Sequence, residues 1–165
     1  MNDAYLAAPW ANFFFAEVGA SSALVGLLFV AISINLAKIL ALPSLPGRAF
    51  EALIVLAMVL FIGTFALVPG QSARALGLEV LGTGLFGWVT TVLIQCRLPR
   101  RAWGQTSWMV WRVTLTQLAT LPMIAGGASL VAARGGGLYW TVAGVVAAFL
   151  AALIDAWVLL IEIQR

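Results

Sequence analysis

Five stretches of this sequence are each long and apolar enough to cross a bilayer as a helix, and the charged residues fall mostly between them or near their ends. A hydrocarbon core about 30 Å thick takes roughly 20 helical residues to cross. No water lies there to satisfy backbone N–H and C=O groups, so each crossing segment must be helical. The expected fold is therefore all-α: a polytopic integral membrane helix bundle with five transmembrane helices in a single domain over residues 1–165.

Prolines, glycines and arginines set the predicted boundaries. The first helix is predicted over about 13–40, ended by Pro43, Pro46 and Gly47, because proline cannot continue the hydrogen-bond ladder. The second is predicted over about 48–68 and stops at Pro69 and Gly70. The third, about 73–96, is closed by Arg97, Pro99, Arg100 and Arg101. The fourth spans about 107–133 with Pro122 inside it, and a tight turn over 134–137 leads to the fifth at about 138–163.

Composition narrows what such a chain can do. It is 63% hydrophobic and 9% charged, whereas soluble domains are about 45–50% apolar and about 25% charged. The spans consume nearly all of the 17.5 kDa, leaving little chain for a soluble catalytic or nucleic-acid-binding domain. The net charge of +3 therefore reads as membrane-edge charge, and no nucleic-acid partner is expected. With one cysteine, Cys96, and no histidine, the usual zinc and haem ligand sets are missing, so neither a metal nor a cofactor is expected. No phosphate loop, nucleophile elbow or H-E-x-x-H motif occurs, and Ser33 and Lys38 do not share a helix face as a dyad requires; an enzyme is not expected. Residues 1–12 carry Asp3 and no basic residue, so the first apolar stretch is expected to be a retained span and not a cleaved signal.

Basic residues set an expected orientation. Lys38, Arg48, Arg97, Arg100, Arg101 and Arg165 fall on one side of the five spans, and Arg74 and Arg134 on the other. This bias predicts an outside amino terminus and a cytoplasmic carboxyl terminus. The aromatic residues agree: Trp10, the Phe13–Phe15 run, Tyr139 and Trp140 suit the outer interface, and Trp103, Trp108, Trp111 and Trp157 the inner one, with Trp88 alone at mid-span.

Ionisable groups inside spans are expensive and so are the first functional candidates. Arg112 precedes Gly135 by 23 residues and Asp155 follows it by 20. In an antiparallel hairpin their depths differ by roughly 5 Å at 1.5 Å per residue. The two are placed to pair, either as simple neutralisation or as part of an ion path; the alternative is that Arg112 snorkels to the headgroups. Thr116, Thr120, Met123 and Gly127 lie within about 80° of Arg112 on the helical wheel. With Gln117, they make a polar stripe that suits either a cavity wall or close helix contact.

Helix 1 divides into two faces. Gly19, Ser22, Gly26 and Ser33 form a small-residue stripe, expected to be a packing surface. Glu17 lies on the opposite side near the outer rim, with Asn35 and Lys38 near the inner rim. Glu51 follows Arg48 by three residues at the start of helix 2, where an i,i+3 pair and the helix dipole both favour it. Glu79 lies at an outer depth similar to that of Glu17. The two carboxylates together suggest either a cation site or charges neutralised by Arg74 and Arg134.

The segments "VGASSALVGLLFVAISINLAKIL" from Val18, "LPSLPGRAFEAL" from Leu42 and "LVPGQSARALGLE" from Leu67 resemble a group of small bacterial inner-membrane proteins, some labelled "modulator of FtsH protease". The resemblance covers about the first 80 residues and implies a bacterial plasma-membrane location, without implying catalytic residues. Two roles follow as expectations. One is an oligomeric channel- or transporter-like protein, assembled as a homo-oligomer through the helix 1 small face, with its charges lining a path for ion transport. The other is an accessory or regulatory subunit of a larger membrane protein such as a protease.

Overall fold

A computed structural model of the chain describes residues 3–42, 45–97 and 106–164, and side chains over 3–42, 45–97 and 109–158. Pro43, Pro99, Arg100, Arg101, Trp103, Arg165 and the Trp108 side chain lie outside the described residues. Six α-helices follow two short 3₁₀ turns, Asp3–Tyr5 and Ala8–Trp10: α1 Ala11–Ile34, α2 Leu36–Ala41, α3 Leu45–Ala66, α4 Ala73–Arg97, α5 Thr106–Ala132 and α6 Tyr139–Gln164. No strand occurs among the described residues. Five of the helical segments, those of α1, α3, α4, α5 and α6, are long and apolar enough to cross a membrane. The protein is a multi-pass helical bundle suited to a lipid bilayer.

Two boundaries differ from the sequence reading, each for a local reason. The predicted first helix breaks at Asn35, where the backbone turns to φ −106° and ψ 13°. The Asn35 side chain donates to the Ala31 carbonyl oxygen at 2.9 Å, so it competes with the ladder it interrupts. Helix α3 begins at Leu45, three residues before its predicted start. Pro46 thereby sits in the first helical turn, where a missing N–H costs nothing and the fixed φ suits the helix. Proline at this point opens a helix instead of ending one.

Helix α3 is the hub, packing against α1 on one side and against α4 and α6 on others, while α5 joins α4 to α6. Phe14, Val55, Met58, Val59, Ile62, Val80, Met123 and Ala148 form the apolar centre. Glycines set the closest approaches: a Cβ on Gly127 would fall 2.4 Å from the Leu81 backbone nitrogen, and one on Gly84 would fall 3.2 Å from that of Ile124. Helices α4 and α5 therefore touch nearly backbone to backbone. The Gly126–Gly127 pair one turn after Pro122 serves this packing, Gly127 meeting α4 and Gly126 meeting α6.

The amino-terminal turns lie across the α5–α6 connection. Leu138 N–H donates to the Ala4 carbonyl at 2.8 Å, and Gly136 N–H to the Tyr5 hydroxyl at 3.2 Å. Trp10 stands edge-on to Tyr139 with ring centroids 4.8 Å apart. Gly135, Gly136 and Gly137 all adopt positive φ, a conformation glycine takes without steric cost.

Candidate functional site

Adjacent spans run antiparallel, so the start of α3, the end of α4, the start of α5 and the end of α6 share one end of the bundle. Polar side chains from all four helices meet there. Glu51 of α3 is 1% exposed and Arg112 of α5 is 8% exposed. Arg112 Nε donates to Glu51 Oε2 at 2.8 Å, and its Nη2 donates to the same oxygen. The other carboxylate oxygen, Oε1, accepts from Gln95 Nε2 of α4 and from the Thr116 hydroxyl of α5 at 3.0 Å. That hydroxyl also lies 3.1 Å from the Arg112 carbonyl oxygen.

A second pair adjoins the first. Arg48 Nε of α3 lies 3.5 Å from Asp155 Oδ1 of α6, with both side chains largely buried. Glu51 and Arg112 are close enough to Asp155 to act on it through space. Two guanidinium groups and two carboxylates thus balance within one cluster on α3, α5 and α6, with Gln95 tying in α4. Burying an ion costs several kcal/mol unless its partner and remaining hydrogen bonds are in place. Here the Glu51 oxygens carry four donors, one for each of a carboxylate's roughly four lone-pair sites.

The expected Arg112–Asp155 pair is replaced by Arg112–Glu51, and the expected i,i+3 pairing of Glu51 with Arg48 gives way to Arg48–Asp155. Loop counting gave the depth of Asp155 well enough to bring it near Arg112. It carries no information on azimuth, and Glu51 on the neighbouring hub helix occupies the side of α5 that Arg112 faces. Thr116 joins the cluster, whereas Thr120 is buried with its hydroxyl donating back to the Thr116 carbonyl at 2.9 Å. Gln117 lies apart and accepts from Trp88 Nε1 of α4 at 2.7 Å, which accounts for a tryptophan at mid-span. Gln95 had no sequence signal beyond being a lone amide in an apolar helix.

Glu17 and Glu79 do not meet. Glu79 accepts from Gln71 Nε2, while Glu17 is 3% exposed against α3 at Gly63. Among the described residues, neither Glu17 oxygen has a hydrogen-bond partner. Arg74 and Arg134 are exposed. At the other rim Lys38 is exposed and Asn35 half-buried.

The small-residue face of α1 packs against nothing within the chain, and its other face is the buried one. Phe14, Glu17, Ser21 and Leu28 form the buried face, while Gly19, Ser22, Gly26 and Ser33 are all exposed. A Cβ on Gly19 or Gly26 would meet nothing within 4 Å. The Ser22 and Ser33 hydroxyls donate to the Val18 and Phe29 carbonyls of their own helix.

Beyond the charge cluster, α3 continues with Val55, Met58, Val59 and Ile62, all buried in the apolar centre. Chemically, the cluster is a closed electrostatic clamp on four helices with an apolar plug above it. Fold and site together define a multi-pass α-helical membrane protein with an intramembrane charge cluster. Compared with protein-family models, curated proteins and solved structures, the chain matches none.

Proposed function

We propose that this chain is an accessory subunit of a membrane assembly: its clamped α3–α6 bundle is a rigid body that presents α1 to a transmembrane helix of a larger protein. The observation that carries this reading is the state of α1. Of its most apolar eighteen residues 17% are buried, against 56% in α3. Gly19 and Gly26 stand on its outward side with nothing against them. A helical glycine costs about 1 kcal/mol relative to alanine, a cost that close approach by another helix offsets. The basic residues favour an outside amino terminus, and the sequence resemblance favours a bacterial inner membrane, where a membrane-bound quality-control protease is the kind of partner meant.

The second reading is a channel- or transporter-like homo-oligomer, favoured by the four ionisable side chains within the spans, because ionisable groups at membrane depth mark ion and substrate paths. Among the described residues, the saturated bonding of Glu51 and the apolar run from Val55 to Ile62 close a polar route along α3, so in this reading the path forms between chains.

Cysteine crosslinking in native membranes separates these readings. In a Cys96→Ser background, Gly19→Cys and Gly26→Cys are expected to give an adduct with a different, heavier protein. An adduct of twice the chain mass, together with ion flux above background in liposomes, favours the transport-like reading. Adducts no stronger than those of the buried Ser21→Cys control overturn both.

A further inference from the structure

Glu17 is a buried ionisable side chain that neither reading uses. It lies on α1 in the first membrane span, Ala8–Ile34, roughly 13 Å along the helix from the start of that span at 1.5 Å per residue. Its carboxyl is buried at 3% exposure and points at α3, where Gly63 makes room for it: a Cβ there would fall 2.8 Å from Val18 Cγ2 and 3.6 Å from Glu17 Cδ. The neighbouring Ser21 hydroxyl is committed to the Glu17 backbone carbonyl at 2.8 Å and supplies nothing to the side chain.

Among the described residues, no charged group pairs with this carboxyl. Glu17 is the only ionisable residue within α1. On α3, Arg48 and Glu51 lie at least twelve residues from Gly63, roughly 18 Å along the helix, and belong to the cluster at the opposite end. On α6, Asp155 belongs to that same cluster, and Tyr139 stacks on Trp10. Lys38 of α2 lies beyond the Asn35 break. In the amino-terminal turns Asp3 is exposed, and the Tyr5 hydroxyl accepts from Gly136 N–H. An uncompensated carboxylate in such surroundings is far costlier than a neutral acid. Among the described residues no group of three acidic, cysteine or histidine side chains is present to hold a metal ion.

We propose that Glu17 is an intramembrane proton-binding site: it is carried as the neutral acid at the α1–α3 contact, and its ionisation loosens α1 from α3. Ionisation breaks the carboxyl O–H bond, releases the proton to water and leaves the charge on the carboxylate. No partner awaits that charge, so it is stabilised only if water enters the contact or the helix turns the group toward the interface. Helix α1 is suited to such movement. Its principal packing neighbour is α3, and the break at Asn35 separates it from α2.

The test uses the full chain in liposomes. Dicyclohexylcarbodiimide, which partitions into lipid and reacts with protonated carboxyls, is expected to label Glu17 at neutral pH, with the adduct located by mass spectrometry. A water-soluble carbodiimide is expected to label Asp3 and leave Glu17 unmodified. Amide exchange over residues 11–34 is then followed as the medium is made alkaline. With the intrinsic rise of base-catalysed exchange divided out, protection in the wild-type chain is expected to fall several-fold, whereas Glu17→Gln, a fixed mimic of the neutral acid, keeps its protection. Failure of the lipid-soluble reagent to label Glu17 overturns the proposal, as does α1 protection that responds to pH equally in both chains. Labelling of the folded wild-type protein decides the matter even if the variant fails to fold.

Discussion

Removing Glu51 should cost this protein more stability than any other single side-chain truncation in the charge cluster, and the structure allows the size to be worked out. Glu51→Met leaves the Arg112 guanidinium charged, 8% exposed and stripped of both its carboxylate contacts. Breaking a buried ion pair by deleting one partner costs about 3–5 kcal/mol. The Gln95 amide loses its acceptor as well, adding about 1 kcal/mol. Thr116 loses little, since its hydroxyl retains the Arg112 carbonyl at 3.1 Å. The total of about 4–6 kcal/mol is a large part of the roughly 5–15 kcal/mol that holds a typical domain folded. Arg112→Met is expected to cost about 3–5 kcal/mol, because Glu51 keeps its Gln95 and Thr116 donors. The double variant removes both charges together and should cost about 2–3 kcal/mol less than the sum of the singles. Reversible unfolding in bicelles or mixed micelles measures all four corners of this cycle. A parallel cycle on Arg112 and Asp155 is expected to give about 1 kcal/mol of coupling or less, since those groups interact only through space. Coupling of Arg112 to Asp155 that equals or exceeds its coupling to Glu51 would refute the partner assignment.

Other substitutions test the packing. Gly127→Ala places a Cβ 2.4 Å from the Leu81 nitrogen and 2.7 Å from its Cα, so α4 and α5 must separate; a loss of about 2–3 kcal/mol in the same unfolding assay is expected. Gly82→Ala on α4, where a Cβ meets nothing within 4 Å, should instead gain up to about 1 kcal/mol. Gly137→Ala sets a Cβ 1.9 Å from the Ala4 carbonyl oxygen at a positive φ. It should release the amino-terminal turns, read as fast amide exchange over residues 3–10, at a cost on the order of 2 kcal/mol. Trp88→Phe leaves the Gln117 carbonyl oxygen without its 2.7 Å donor and should cost about 1 kcal/mol.

What the sequence made legible were features that depend on one dimension alone. Span number follows from runs of apolar residues, and depth follows from counting residues from a turn, which is why Asp155 is found near Arg112. Azimuth depends on which helices are neighbours, and no count along the chain supplies it. Glu51 was legible as a carboxylate needing a cation, but Arg112 lies 61 residues away in sequence and reaches it only because α3 is the hub. Gln95 and Trp88 were illegible as partners for the same reason. On α1 the small-residue stripe was legible as a packing face, but whether its neighbour belongs to this chain was not. In water an amphipathic helix buries its apolar face. Lipid tails are as apolar as leucine and give no reason to hide leucine from them. Helix α1 can therefore leave Leu27, Phe29 and Val30 outside and turn Glu17 and Ser21 inward. The same rule explains why the charges of α3, α5 and α6 converge: an exposed serine can bond a carbonyl of its own helix, but within a span a charged group finds its counter-charge inside the bundle, so charge marks a packed face that hydrophobicity alone does not.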